Sequence, residues 1–380
     1  MPEEQAATLD PMPEAVDRGE GWKAFARFVR FVTVRGIAVL ITAAIGVYIA
    51  VWVSQLGGYA DEWRRDEIRA GVAMSMRGNR EYQAMSYFEK LTYTEALTNA
   101  AIAASGLDKP FFLRSFKHTA EALSLNLGET RWMMTSVSGS HEVKEILLDG
   151  LPMTLVLFGT ANLITFFVSL FFALVLSRRY GGFLDRASAV LVPVLSAPPW
   201  FHGIFLILIF AAVLRILPYG GIVDAPPPVT TAGYVLSFLK HMILPVTAWL
   251  LGTIPLAVYT GRAFFLIHSS EDFVELAKAK GLRASRVQRR YILRPVLPTI
   301  VTNFAFMMIV AWQGAILTEL IFNWPGLGRI LFDAIGRFEV PVIIGAVVIF
   351  AYLLALTVLL LDIIYALVDP RVKLGGGKAA

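Results

Sequence analysis

The stretch Val340–Val368 reads V-P-V-I-I-G-A-V-V-I-F-A-Y-L-L-A-L-T-V-L-L-L-D-I-I-Y-A-L-V, with Asp362 as its single charged side chain. A helix needs roughly 20 mostly apolar residues to cross the hydrocarbon core of a bilayer, and this run exceeds that. Working outward, five more stretches have the same character: Phe31–Val53, Leu151–Leu176, Ala187–Leu214, Tyr234–Phe265 and Ile300–Phe322. Pro245 and Pro255 interrupt the fourth, which predicts a kinked or tilted helix there. The fold class that follows is an all-α membrane protein with six transmembrane helices. Composition agrees, since 56% of the 380 residues are hydrophobic and 17% charged. Soluble domains have roughly 45–50% apolar and about 25% charged residues. A soluble globular or disordered chain is excluded.

The net charge of +5 gathers beside the apolar runs. That pattern is topological information and not a nucleic-acid footprint, so no nucleic-acid partner is expected. Arg27 and Arg30 precede the first run and Arg35 lies in its first turns, which places the N-terminus in the cytoplasm. Alternation then puts Arg178, Arg179 and Arg186 inside. Arg262, Lys278, Lys280, Arg283, Arg286, Arg289, Arg290 and Arg294 are also inside, as is the C-terminal tail with Arg371 and Lys373. Every basic cluster fits six crossings with both ends cytoplasmic.

The domain reading is therefore a disordered cytoplasmic tail over 1–27, the first transmembrane helix over 28–53, and an extracytoplasmic helical cap over 54–150. Transmembrane helices 2–6 follow over 151–368, and a second cytoplasmic tail covers 369–380. Within the cap, Asp61–Met76 and Thr92–Ala104 read as helices, with Gly106 as a C-terminal stop. Phe111, Phe112, Phe116 and Leu123 form an apolar stripe near helical spacing.

The inner loop at 266–299 contains Ser269–Gly281, S-S-E-D-F-V-E-L-A-K-A-K-G. Acids begin it and lysines end it, as a helix dipole prefers. Asp272 reads as the N-cap, with Glu275 three residues on completing a box-like pair. Gly281 supplies the left-handed residue that stops the helix. Phe273 and Ala277 stack one turn apart on one face. An isolated helix this short is marginal, so it either caps the bundle or docks on a partner.

Glu275–Gly281 (E-L-A-K-A-K-G) followed by Leu282–Pro298 (L-R-A-S-R-V-Q-R-R-Y-I-L-R-P-V-L-P) resembles the "EAA" loop of binding-protein-dependent ABC importer permeases, most of all the B-type subunit of the dipeptide/oligopeptide branch. Further pieces agree in order: Gly106–Pro110 (G-L-D-K-P), Leu125–Gly128 (L-N-L-G), Leu151–Leu155 (L-P-M-T-L), Ile321–Ile330 (I-F-N-W-P-G-L-G-R-I) and Asp362–Arg371 (D-I-I-Y-A-L-V-D-P-R). The loop departs from the usual Glu-Ala-Ala or Thr-Ala-Arg at Glu275-Leu276-Ala277, and the stretch 57–101 is longer than the family's connection. The resemblance implies a permease subunit in a bacterial or archaeal inner membrane, forming half of a path for peptides or a similar small solute. It implies a second homologous permease chain, two ATP-binding cassette subunits carrying ATP and Mg²⁺, and an extracytoplasmic solute-binding protein. It also implies that Asp272, Phe273, Glu275, Ala277, Lys280 and Gly281 form the loop that couples to the ATPase.

The chemistry visible in the residues is consistent with that division of labour. The chain has no phosphate-binding G-x-x-x-x-G-K-[ST], no cysteine, and His118, His141, His202, His241 and His268 are scattered. No catalytic residue, cofactor or metal is therefore assigned to this chain. Glu319 and Asp362 lie near span ends and read as hydrogen-bonding groups. Asn162, Thr165 and Ser169 share one face of the second run, while Asn303 and Gln313 lie in the fifth. Either these five bond between helices, or they line a water-filled passage. Outside the transport class, the alternative is a membrane receptor or scaffold whose cap binds a ligand.

Overall fold

The computed structural model describes residues 18–368 apart from 57, 136–137, 179–180, 196 and 314–315. Among them the chain is almost wholly helical. Helix α1 (Arg18–Leu56) opens it. Of the expected N-terminal tail, 1–17 lie outside the described residues, but from Arg18 the backbone is already helical. The C-terminal tail from 369, with Arg371 and Lys373, also lies outside them, as does Arg179.

The cap comprises α2 (Tyr59–Met76), α3 (Arg80–Ala84), α4 (Tyr87–Ser105) and α5 (Phe111–Leu123). Helix α4 starts at Tyr87, earlier than Thr92, because Ser86 and Glu89 form a reciprocal capping box. It stops where expected, at Gly106, whose φ is +80°. Helix α6 (Val143–Arg178) then enters the bundle.

The third run departs from expectation. Ala187–Leu214 was to be one helix, but α7 (Phe183–Leu195) and α8 (Pro199–Leu206), the latter continued by a π-helical stretch Ile207–Val213, meet at 87°. Pro198 and Pro199 cause the break, since the residue before a proline is driven out of the α region and Pro198 is extended at ψ 150°. By contrast α9 (Thr231–Ser269) continues as one helix through Pro245 and Pro255.

Helix α10 (Asp272–Ala279) and the short α11 (Ala284–Arg286) form the inner loop, and a π-helical stretch, Val287–Leu293, leads into α12 (Arg294–Gln313). Of the expected fifth span to Phe322, α12 and α13 (Ile316–Ile321) are helical on either side of 314–315, which lie outside the described residues. Helix α14 (Leu327–Gly336), in the loop that the expected topology puts outside (the outer loop), and α15 (Val340–Val368) complete the fold. Among the described residues, five helices are long and apolar enough to cross a membrane, six if the bent pair counts as one span.

Lipid is as apolar as a leucine side chain, so close packing and hydrogen bonds hold such helices together. Small residues accordingly sit at the helix contacts: Ala161 is fully buried where α6 meets α9 and Ala248 where α9 meets α8, and Phe158 of α6 packs edge-on to Trp249 of α9. Val143 and Leu147 of α6 pack with Leu327 and Ala334 of α14 and Val342 and Ala346 of α15. At the other end of α6, Ala173 meets Phe265 of α9 and Val296 of α12.

Candidate functional site

The inner loop is a self-supporting unit. Val274 and Ala277 of α10 pack against Val287, which lies beyond the turn in the π-helical stretch. Gly281 has φ +72°. Its N–H donates to the Lys278 carbonyl, and that of Leu282 reaches back to Ala277. This pair of bonds is a Schellman ending, and Leu282 adds its usual apolar contact by packing on the same cluster. The Lys278 ammonium donates to the Ser269 carbonyl at 3.1 Å, tying α10 to the end of α9.

Two expectations for this loop need correction. The N-cap is Glu271, without a side-chain capping bond, so Asp272 is the first helical residue and Glu275 completes no capping box. Nor do Phe273 and Ala277 share an outward face. Ala277 is 2% exposed and points into the loop, whereas Phe273 and Leu276 are 45% and 56% exposed. Inward packing against Val287 decides this orientation. Lys280 is the C-cap residue beside Gly281 and is exposed.

At the same end of the bundle, Asp185 of α7 is buried and accepts from the Arg262 guanidinium of α9, the Nη2 bond being 2.7 Å. It also accepts from the Gly181 N–H at 2.8 Å. The helix that leads into α10 is thereby bonded to α7.

The polar span residues do not form one lining. Asn162 accepts from the Trp249 indole N–H at 3.0 Å, and the Thr165 hydroxyl lies 3.3 Å from that of Thr253. Ser169 donates to the carbonyl of Phe166 in its own helix. All three are buried, the first two at the α6–α9 contact. Asn303 is exposed on α12, and the side chain of Gln313 lies outside the described residues.

A site that the sequence reading treated as background lies at the opposite end. Glu319 is fully buried. Its Oε1 accepts from the Thr154 hydroxyl at 2.7 Å, and its Oε2 from the Arg329 N–H at 3.0 Å. Thr154 in turn accepts from the Leu327 N–H at 2.8 Å. The carboxylate therefore sits at the N-terminus of α14, where a helix dipole favours negative charge. A Cβ on Gly326 would lie 2.3–2.5 Å from that carboxylate, so only glycine fits. Trp324, fully buried, donates its indole N–H to the Met153 carbonyl at 3.0 Å. The outer loop is locked onto α6.

The family of binding-protein-dependent transport system inner membrane components matches residues 166–374, which include the inner loop, the outer loop and the last span. The chain belongs to that family. It is a multi-pass transport permease subunit, and the scaffold reading falls away.

The permease is 33% identical over 290 residues to the di/tripeptide transport system permease protein DppB of Pseudomonas aeruginosa, covering 72% of this chain and 84% of that one. It is 32% identical over 292 residues to the dipeptide transport system permease protein DppB of Escherichia coli, with the same coverage. The oligopeptide transport system permease protein AppB of Bacillus subtilis is 28% identical over 271 residues, covering 70% and 82%. Outside the matched region lies the permease's cap, where a cavity of about 110 Å³ is lined by Gln55, Asp61, Arg64, Glu67, His118 and Glu121 at the seam with α1 and α15. Burial pushes the Glu67 carboxyl above its ordinary range and the His118 imidazole below its own.

Proposed function

We propose that this permease passes peptides delivered by an extracytoplasmic binding protein, as the names of its relatives imply, and pairs with a second homologous permease chain. Two ATP-binding cassette subunits bind ATP and Mg²⁺ and seat α10. Both termini are cytoplasmic. For the basic loops around Arg178–Arg186 and Arg262–Arg294 to share one side, the bent pair α7–α8 must count as a crossing. Asn303, exposed on its span, is the described residue of the five in position to line the passage. The observation that carries the coupling role is the orientation of α10. Its Val274–Ala277 face is satisfied within the loop, so Phe273 and Leu276 remain as an apolar surface for a groove on an ATPase subunit. Coupling then proceeds by rigid-body motion of the packed spans.

The test separates the two faces. Leu276→Glu alters an exposed position and leaves the loop folded, but introduces charge into the groove. Uptake is expected to fail, with hydrolysis uncoupled or ATPase subunits lost on purification. Wild-type uptake with full ATPase retention would refute the role of α10.

A further inference from the structure

Helix α5 belongs to the cap by sequence, yet its three faces do not suit an aqueous domain. One face carries Ser115, Thr119 and Ala122, all buried. Ala122 packs with Val47 and Val51 of α1 and Val348 of α15. A second face is polar and meets α2: Arg114 pairs with Asp61 at 2.7 Å, and Arg64 donates to His118 Nδ1 at 2.8 Å. The third presents Phe112, Leu113 and Phe116, which are 60%, 59% and 52% exposed.

Depth decides what covers that third face. Phe116 stacks on Tyr48 with centroids 5.0 Å apart, and Phe111 meets Trp52 edge-on at 6.0 Å. Both partners lie inside the expected first span, 28–53, which falls within the candidate membrane-crossing stretch Ala26–Leu56. At 1.5 Å per residue, Trp52 is about 2 Å and Tyr48 about 8 Å below the end of that span at Val53. At the far end of α5, the Tyr352 hydroxyl donates to the Leu123 carbonyl, and Tyr352 lies well inside α15. The exposed aromatics continue a row on α1, Ile45, Ile49 and Val53, which is itself exposed. An amphipathic helix lying in a membrane interface buries its apolar face by about 5–10 Å.

We infer that α5 lies within the bilayer leaflet on the cap's side as a monotopic helix, with Phe112, Leu113 and Phe116 among lipid acyl chains and its polar face supporting α2. The cap therefore rests on a floor sunk in the membrane. Lipid is the occupant because the face is continuous with the membrane surface of α1, the least enclosed of the candidate spans.

The chain contains no cysteine, so Phe112→Cys and Leu113→Cys each create one labelling site, and Leu91→Cys on α4 gives a reference on the cap. Each full-length variant, with the subunits that co-purify, carries an environment-sensitive fluorophore in phosphatidylcholine liposomes. Nitroxide-bearing lipid and aqueous iodide are the two quenchers. Labels at 112 and 113 are expected to be quenched by the lipid nitroxide and several-fold less by iodide than the label at 91. Iodide quenching equal to that at 91 would place the face in water and overturn the inference. Protection from both quenchers would mean that a protein chain covers it, and would overturn it equally.

Discussion

Replacing Thr154 by valine keeps the shape of the side chain and removes one hydroxyl. That hydroxyl makes two bonds in a region with no access to water, donating to Glu319 Oε1 and accepting from the Leu327 N–H. Thr154, Glu319 and Leu327 are all fully buried. A buried backbone N–H left without a partner costs about 1–3 kcal/mol, and a lost bond to a charged group about 1.5–3 kcal/mol. The two losses share one locus, so their joint effect is about 2–5 kcal/mol. Thr154→Ser keeps the hydroxyl and loses one methyl, worth about 1 kcal/mol. The assay is the apparent thermal midpoint of the purified protein in lipid nanodiscs. At about 2 °C per kcal/mol, the low end for large chains, valine should lower the midpoint by about 4–10 °C and serine by about 2 °C. Equal midpoints for the two variants would refute the claim that this hydroxyl holds the outer loop to α6.

Gly281→Val forces a β-branched residue into a left-handed conformation, costing on the order of 1–2 kcal/mol. Because a Cβ there would meet nothing within 4 Å, the loss should appear as faster hydrogen exchange confined to 272–287, without a change in the spans. Asp185→Leu removes the anion of a buried ion pair and should cost about 3–5 kcal/mol, whereas Asp185→Leu with Arg262→Met should recover most of it. Equal midpoints for the single and double variants would contradict this. The cap seam should respond to acid through His118, which faces Arg64, Glu121 and Lys117, with Glu67 in the same cavity. Neutral Nδ1 accepts from Arg64; protonated, it repels Arg64 and turns to Glu121. Its folded pKa lies below 6.5, so its contribution is present above pH 6.5 and is lost as pH falls from there through the folded value. Glu67 acts in the opposite sense, since its folded pKa lies above 4.5 and its protonation favours the fold below that value. His118→Gln should remove the loss of proteolytic protection in α2 and α5 just below pH 6.5; an unchanged profile would place the acid response elsewhere.

Spans were legible because hydropathy over twenty residues is an additive property of the chain. The break at Pro198–Pro199 was not, since an apolar window averages over it, although the diproline itself was a local signal. The face of α10 could not be read from its own periodicity. Val287, the residue that selects Val274 and Ala277 as the inner face, lies across a turn, and a phenylalanine beside a short helix invites the wrong choice. Glu319 was read as a hydrogen-bonding group, which it is. Its importance required the distant Thr154 and a P-G-L-G run whose first glycine makes room for the carboxylate. The capping box at Ser86–Glu89 was available in the sequence and would have set the start of α4.

The corner where α2 leaves α1 and α4 returns to α5 is fastened by Asp61 with Arg114 and by Arg65 donating to the Leu107 carbonyl. Both feet of the α2–α4 hairpin stand on that corner, and at its tip Arg77 and Gly78 are exposed. Lengthening a flexible connection costs only about 0.6 kcal/mol per doubling. The tip is thus a port at which an epitope, a fluorescent domain or a purification handle can be spliced into the middle of a membrane protein without re-registering a single span.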